Sequence, residues 1–484
     1  MKKFKRIVSG LAAVMCAAAF TACGDSAGSP EEEAETTTED TTTALTVEIN
    51  TETLNEEEQD TINNTADLLM DTELANKTIK WFSFYDPFHA STSGNKKALS
   101  LELFENKYGG EIEYIATTWN KRFDDLSTKI LGGEGVDFIA GGDLDSFPKG
   151  VGNGMFQPMD PYVDYDSELW SDVKDLNDMF YLNGNHYLIA VKATTGAVVI
   201  YNRKTISENG FDDPAELLEQ GEWDWDAFKD MLLNFVDNDA GLYGLDGWFN
   251  ERPLYLSSGV PSIELKDGKL THNLYDSNLE RAMNFMYDLN INGLVLDKNL
   301  TDWKEHPEYI GESKELFYIC GMYTLESAAD IWTATYGNAE DVMFVPVPKD
   351  PSSENYYLNA GMDAYMLCKG AQNPEGVARF MECILAAYKD EGTQAMTRDT
   401  YLNTYGWTEE MYEMRDKINA MTAEHPVYDI CTGCPTDMMS ILDSGDAGVR
   451  APFYGVDWAS IRDSLSDVVD LGVEEFNNSL TTAE

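Results

Sequence analysis

The chain has 484 residues, of which 86 are acidic and 34 are Lys or Arg, so its formal net charge is -52. Such a charge repels polyanions and argues against nucleic acid as a partner. The length and an apolar content of 43% are sufficient for two well-packed domains, and the seven cysteines lack the spacing of a small disulfide scaffold.

The N-terminus has the pattern of an export signal. Lys2, Lys3, Lys5 and Arg6 precede a run of small and apolar residues, 7–22. That run is too short to span a bilayer comfortably, whereas its length and its basic flank are typical of a cleaved leader. The sequence therefore predicts a signal peptide over residues 1–22.

The end of the leader resembles the lipobox of bacterial lipoproteins. The residues are Phe20-Thr21-Ala22-Cys23, with Phe20 in place of the usual aliphatic residue. The resemblance implies cleavage before Cys23, acylation of that cysteine with palmitate among its chains, and a stable anchor, since two or more acyl chains hold a protein on a membrane. The alternative is an ordinary secretory signal with an incidental cysteine.

The next segment, 23–76, is acidic and rich in threonine. No Lys or Arg occurs between Ile7 and Asn76. Low hydrophobicity with one sign of charge cannot offset chain entropy, and like charges extend the chain. We therefore expect a disordered stalk over 23–76, with a short helix around Asp60 to Asn76 leading into the folded part.

The folded region opens with a βαβ pattern. Alternating apolar residues predict strands over 77–85 and 110–118, and helical apolar spacing predicts a helix over 96–109. A helix over 122–135 that ends in glycines and a buried strand over 136–142 continue the pattern. This alternation favours an α/β fold with a largely parallel sheet.

The rest of the chain continues this alternation of predicted strands and helices. Residues 184–211 contain two strands joined by the polar stretch "KATTG", and residues 223–238 ("WDWDAFKDMLLNFVDN") form an amphipathic helix. Strand-to-helix patterns follow near 316–331, 341–351 and 359–385.

Seven segments stand in the order found in one family of proteins. They are "DLSTKILGGEGVDFIAGG", "MFQPMDPYV", "GNHYLIAV", "VVIYNRKTISENGF", "GEWDWDAF", "YICGMYTLESA" and "NPEGVARFMECIL". Over nearly all of Lys77 to Glu484 the chain resembles the extracellular solute-binding proteins of bacterial ABC importers, in the sugar-binding family that includes maltose-binding protein. The family's usual "GPW"-like element is replaced by Thr324-Leu325-Glu326.

The resemblance implies an α/β fold with two lobes of the periplasmic-binding-protein type, joined by hinge crossovers and closing over a cleft. We expect lobe one at 77–191 with 338–387, lobe two at 192–337, and shared C-terminal helices over 388–484. It further implies a monomer without a cofactor, held by its lipid on the extracellular face of the bacterial cell membrane. This protein would capture a carbohydrate, most simply an oligosaccharide, and deliver it to the permease subunits of an ABC transporter.

Sugars present hydroxyl edges and apolar faces, so a site for them needs flat aromatic rings and acceptor side chains. Both kinds follow predicted strands in the first half of the folded region: Tyr85 and Asp86, then Trp119, then Asp143. Ligands bind beyond the carboxyl ends of strands in open α/β sheets. We therefore predict these four residues as ligand contacts from lobe one.

Four further ligand contacts are predicted from lobe two and from the segments that lead back from it to lobe one. Trp248 follows a glycine-rich loop, Glu326 and Trp332 flank a helix start, and Asp363 follows Gly361 beside a returning strand. A partly buried core position is the alternative for each tryptophan, and an exposed helix cap for each acid.

Other chemistries find little support. The five histidines form no close pair, there is no phosphate loop and no nucleophile elbow, and no catalytic or metal-binding residue is predicted. Cys431 and Cys434, in "CTGC", are expected to be a local disulfide or two unreactive thiols. Two other functions stay open: a secreted glycoside-active enzyme that uses a pair of carboxylates, and a binding protein for a cationic or peptidic solute.

Overall fold

The computed structural model describes residues 65–66, 68–90, 97–248, 250–445 and 447–481. The predicted signal peptide, Cys23 and most of the predicted stalk lie outside these residues. Within them the chain forms two main sheets covered by helices, together with two smaller sheets of two strands each. This confirms the expected two-lobed α/β fold.

The strands of the described residues are short, and two of them, β6 and β13, are longer than the rest. Their bounds are β1 Thr78–Ser83, β2 Glu111–Ala116, β3 Phe138–Ala140, β4 Tyr181–Leu182, β5 Asn185–His186, β6 Leu188–Thr195, β7 Val198–Asn202, β8 Tyr243–Gly247, β9 Ile263–Lys266, β10 Lys269–His272, β11 Glu315–Cys320, β12 Val342–Pro346, β13 Leu358–Leu367 and β14 Pro426–Val427.

The helices include all of those expected from sequence in the first lobe. They are α1 Leu99–Tyr108, α2 Arg122–Gly132, α3 Lys149–Gly152, α4 Lys174–Met179, α5 Arg203–Glu208, α6 Pro214–Gln220, α7 Trp225–Phe235, α8 Glu251–Leu256, α9 Ser277–Ile291, α10 Glu308–Gly311, α11 Ala329–Tyr336, α12 Pro374–Lys389, α13 Glu391–Asp399, α14 Glu409–Glu424, α15 Thr436–Leu442 and α16 Trp458–Thr481. In the part of the chain that the structure describes, no helix is both long and apolar enough to span a membrane.

The first sheet contains β1, β2, β3, β6, β13 and β14. β1 pairs in parallel with β2 and with β3, whereas β13 runs antiparallel to β3 and to β6. The strands predicted over 77–85, 110–118 and 136–142 are confirmed as β1, β2 and β3. Their carboxyl ends consequently lie at one edge of the sheet.

The second sheet has the order β12-β7-β11-β8. β8 and β11 are parallel, and β7 runs antiparallel to β11 and β12. Because β12 (Val342–Pro346) belongs to this sheet, the chain returns to the first lobe only at β13, later than the expected boundary at 338. On the outward path the crossing falls between β6 and β7, a few residues after the expected 191.

The folded part also begins earlier than residue 77. Leu69 and Leu74 are buried in the core of the first lobe, and Tyr108 Oη donates to the Met70 carbonyl at 3.0 Å. Residues 65–66 are helical, but the chain from 70 to 77 has no regular structure, so the expected helix does not extend to Asn76. Packing against the first lobe, rather than the local charge pattern, decides the position of this segment.

A buried carboxylate ties three segments of the first lobe together. Asp137, 1% exposed, accepts hydrogen bonds from the backbone amides of Lys80 at 2.8 Å and Asn373 at 3.0 Å, and also from that of Gln372. Buried backbone donors without a partner are costly. The Asp137 side chain therefore fixes β1 and the start of α12 relative to β3, which begins at the next residue.

A second buried acid of this lobe gives a pH dependence. Glu382 on α12 is 4% exposed, and burial raises its pKa to about 7 although Arg379 opposes the shift. A carboxyl whose pKa is higher in the folded than in the unfolded chain stabilises the fold most below the unfolded pKa, and this contribution is lost as the pH rises through the folded one.

We therefore expect Glu382→Gln to be more stable than the natural protein at pH 8, by about 2 kcal/mol, and to differ little from it at pH 4. Urea unfolding at a series of pH values measures the difference. The variant Glu375→Gln, at an exposed position of the same helix, is the control. If Glu382→Gln changed the free energy of unfolding equally at pH 8 and pH 4, the raised pKa of Glu382 would be contradicted.

Candidate functional site

The carboxyl ends of parallel strands from both sheets face one cleft. In the first sheet, β1 leads to Tyr85 and β3 leads to Asp143. In the second sheet, β8 leads to Trp248 and β11 leads to the turn that ends at Glu326. The two crossing connections, β6 to β7 and β12 to β13, meet at the same edge because β6 pairs with β13 and β7 pairs with β12.

Tyr85 lies between two of the predicted acids. Burial raises the pKa of Tyr85 to about 12, and the charges of Asp143 and Asp363 act in the same direction. The residue is 42% exposed, and its ring packs edge-on against Trp81, with 6.3 Å between ring centroids. The structure thus brings together three residues that the sequence placed on three different strands.

Asp143 is open to the cleft. Nevertheless, the surrounding walls exclude enough water to raise its pKa, against the opposing charge of Arg122. Among the described residues, no hydrogen bond or ion pair engages its carboxylate. Asp143 is therefore available as an acceptor for a ligand.

Trp119 is covered by a cation. The Arg122 guanidinium lies 3.5 Å from the centroid of the Trp119 ring and pairs with Asp145. Burial lowers the pKa of Arg122 to about 10. Phe84 meets the Trp119 ring edge-on at 5.1 Å. One face of Trp119 is occupied in this arrangement, so its contribution to a ligand comes from the rest of the ring.

Two residues of the cleft were missed by the sequence analysis. Lys192 is the direct partner of Asp363 across the β6–β13 pair, and its ammonium lies 4.7 Å from the centroid of the Tyr388 ring. Tyr388 Oη in turn donates to Asp363 Oδ2 at 2.8 Å. The polar "KATTG" stretch within an apolar run was the only signal that pointed to Lys192.

Glu326 belongs to a second cluster on the far side of Lys192. Tyr401 Oη donates to Glu326 Oε1 at 2.6 Å, and the Arg415 guanidinium lies 4.5 Å from the Tyr401 ring centroid. Burial lowers the pKa of Lys192, while the charges of Asp363 and Glu326 oppose that shift. The charges of an acid from each lobe therefore act on Lys192.

Trp248 lies where β8 ends, partly buried against the core. Its backbone amide lies beside the thiol of Cys320, whose pKa burial raises to about 11. The stretch before it, expected to be a glycine-rich loop, is instead strand β8, and this strand places Trp248 at the carboxyl edge of the second sheet.

Two predicted residues do not join the cleft. Both oxygens of Asp86 are engaged in its own turn: they accept from His89 Nδ1 at 2.7 Å and from the backbone amide of Phe88 at 3.1 Å. Trp332 is 1% exposed and its Nε1 donates to the Tyr405 carbonyl at 2.7 Å, so it offers no ring face. We therefore leave both out of the candidate site.

An open groove lies elsewhere. It measures about 500 Å³ and lies between α6 and α14. Its cations are paired within the protein: Arg203 with Asp213 and Glu410, and Lys417 with Glu219. In the cleft, a niche of about 20 Å³ between Phe84, Arg122 and Asp143 is large enough for a water or a hydroxyl but not for a ring.

Both cysteines of "CTGC" are buried thiols. Cys431 and Cys434 are free, and burial raises the pKa of each. Of the two alternatives, the structure shows the unreactive thiols rather than the disulfide.

Residues 89–387 match the model of one family, the bacterial extracellular solute-binding proteins. The chain belongs to this family. The expected resemblance is confirmed, and the family is one of binding proteins rather than enzymes. No curated protein matches the chain significantly.

Solved structures of the same fold cover most of the chain. A cyclo/maltodextrin-binding protein with maltotetraose is 14% identical, with a TM-score of 0.54 over 85% of this chain and 97% of its own. The galacto-N-biose-/lacto-N-biose I-binding protein of Bifidobacterium longum is 11% identical, with a TM-score of 0.57 over 84% and 98%. The cyclic alpha-maltosyl-1,6-maltose binding protein of Arthrobacter globiformis is 12% identical, with a TM-score of 0.58 over 82% and 99%.

The position of Lys192 predicts a coupling with Asp363. We expect a double-mutant cycle of Lys192→Met and Asp363→Asn to give a coupling energy of about 1 kcal/mol, because the pair is only partly screened by solvent. Urea unfolding of the four proteins measures it. The exposed pair Lys204 and Glu208, 3.9 Å apart, is the control and should give nearly zero. A coupling no larger than the control's would contradict the arrangement.

Proposed function

We propose that this protein is a lipid-anchored receptor that captures a neutral carbohydrate, an oligosaccharide in particular, in the cleft and delivers it to the permease of an ABC importer. The observation that carries the proposal is the placement of Tyr85, Asp143 and Asp363 at the carboxyl edge of the first sheet, and of Trp248 and Glu326 beyond the carboxyl ends of two strands of the second. Membership of the solute-binding family and the sugar complexes of its structural relatives support it.

The chemistry of these side chains suits sugar hydroxyls and ring faces. An aromatic ring such as Tyr85 packs against the C–H face of a pyranose, and a carboxylate such as Asp143 accepts two hydroxyl hydrogens. Hydrogen bonds to a charged acceptor in a site with little water are stronger than those in solvent. The cleft therefore offers stacking and acceptors without covalent chemistry.

Charge balance favours a neutral ligand over a cationic one. Although the chain carries a net charge of -52, the cleft contains Arg122, Lys192 and Arg415 beside its carboxylates. A site for a cation would gain from carboxylates without such neighbours. We therefore rank the cationic or peptidic solute below the sugar.

Capture follows from the geometry of two lobes. A ligand that touches Asp143 on one lobe and Glu326 on the other gains its full set of contacts only when the lobes are close together. It stabilises that state by its differential affinity for the two conformations. A permease that recognises the closed shape then receives loaded protein, and a lipid anchor at Cys23 raises the receptor's concentration near it.

The ligand class is tested by isothermal titration calorimetry of the full chain with maltotetraose, lacto-N-biose, acarbose, arginine and a basic tripeptide. We expect a sugar to bind. Tyr85→Ala and Asp143→Asn should each weaken that binding about tenfold or more, through loss of a stacking surface and of a charged acceptor respectively.

Asp124→Asn, on the exposed surface of α2, is the matched control and should bind as the natural protein does. Binding of arginine or the tripeptide alone would refute the sugar assignment. Recovery of a shortened sugar after prolonged incubation would instead identify a glycoside-active enzyme.

The anchor is tested separately. Cells that express the full chain should incorporate labelled palmitate into it and keep it in the membrane fraction. Cys23→Ala should lose the label and appear in the medium or as uncleaved precursor, because a single thioether-linked residue carries all the lipid. Cys434→Ala is the control, and equal labelling of both variants would contradict the proposal.

A further inference from the structure

Trp303 is the exposed tryptophan of this protein. It is 62% exposed, whereas the other tryptophans of the described residues are buried or partly buried. A single exposed ring is not unusual by itself, but a second aromatic ring and an uncommon backbone conformation accompany this one. The ring has no role in either core.

The backbone holds Trp303 in an uncommon conformation. Asp302 and Trp303 have φ values of 51° and 60°, both in the left-handed region that bulky residues rarely adopt. The Trp303 amide donates to the Lys298 carbonyl at 2.9 Å, and the Lys304 amide donates to that of Thr301 at 3.0 Å. Residues in this region cluster at ligand-binding segments, where the surrounding structure fixes them.

The segment that carries Trp303 leaves the second sheet at the cleft. Val295 forms a parallel bridge with Leu245 of β8, and the Leu296 amide donates to the Leu245 carbonyl at 2.9 Å. The chain after residue 296 therefore emerges at the same edge as Trp248. Lys298 pairs with Asp246, and the His306 amide donates to Asp246 Oδ2 at 3.4 Å, so both ends of the segment are tied to β8.

Tyr454 reaches Trp303 from another part of the chain. The two ring centroids are 6.2 Å apart at an angle of 39°. Tyr454 Oη donates to Glu251 Oε1 at 2.6 Å, and Arg450 Nε donates to the same oxygen at 3.1 Å. Glu251 begins α8, directly beyond the end of β8. A second, independent path thus places the two rings at the carboxyl edge of the second sheet.

We propose that Trp303, supported by Tyr454, is an aromatic platform that stacks on an additional sugar ring of an extended oligosaccharide. β8 is the edge strand of its sheet, so the platform lies outside the cluster formed by Tyr85, Asp143 and Asp363. A short sugar held by that cluster would not reach it, whereas a longer one would. The inference rests on the proposed function and adds a determinant of chain length to it.

The test is a glycan array of linear gluco-, galacto- and manno-oligosaccharides with two to six units, probed with the full chain. Trp303→Ala should weaken binding of the longest members of the bound series about tenfold, as expected for one lost stacking contact, and leave the disaccharide unchanged. Trp303→Phe should recover part of the loss. Tyr85→Ala should weaken every length.

Tyr275→Ala is the matched control. Tyr275 is an exposed aromatic, 57% accessible, whose ring lies under the Arg462 guanidinium of α16 at 4.9 Å. The Tyr275→Ala variant should bind oligosaccharides of every length as the natural protein does. An equal loss at every length for Trp303→Ala, or no loss at any, would overturn the platform while leaving sugar binding intact.

Two other outcomes separate a failure of the platform from a failure of the proposed function. Unchanged sugar binding by Trp303→Ala together with reduced transport in cells would make Trp303 a contact for the permease, which also overturns the platform. Failure of the natural protein to bind any member of the array, or any sugar in the calorimetric panel, would refute the proposed function and this inference with it.

Discussion

The cleft depends on the antiparallel pairing of β6 with β13. These strands carry the chain out of the first lobe and back into it, and their register sets Asp363 directly opposite Lys192. A slip of either strand by one residue would turn its side chain to the other face of the sheet and separate the two. The pairing is reinforced where the crossing begins: the Gly196 amide donates to the Asn359 carbonyl at 2.9 Å, and the Thr195 hydroxyl bonds Asn419 of α14 at the same distance.

Electrostatics in this protein are local rather than global. The excess of acid is spread over the surface, whereas the cations near the cleft have specific neighbours: Arg122 pairs with Asp145, and Lys192 lies opposite Asp363 in the β6–β13 pair. Charges at short range and away from water interact more strongly than those on an open surface. Cationic and acidic side chains thus offset each other within the cleft although the whole chain is strongly negative, and Asp143 stays available as an acceptor for hydroxyl groups.

The sequence predicted the parts of the site that follow from local pattern. Tyr85 follows a strand that is recognised by its alternation, and Asp143 follows one that is recognised as a short buried apolar run, so the rule for strand ends placed both at the sheet edge. Trp332 looked similar, but its indole is satisfied by the Tyr405 carbonyl, which only the fold brings near. Lys192 and Tyr388 were missed because a crossing strand and the end of α12 meet far from each other in the chain. The early start of the folded part was missed for the same reason: Leu69 is held by the first lobe, not by its neighbours in sequence.

The connectivity of the first sheet also bears on how the chain acquires its shape. β13 lies between β3 and β6, yet it is contributed by residues 358–367, after the whole second sheet has been passed. A lobe that lacks an interior strand cannot bury its two faces, and such distant pairings form slowly. The first lobe therefore cannot close its sheet before the chain has been synthesised as far as residue 367, so its folding depends on a segment that lies beyond the whole second sheet.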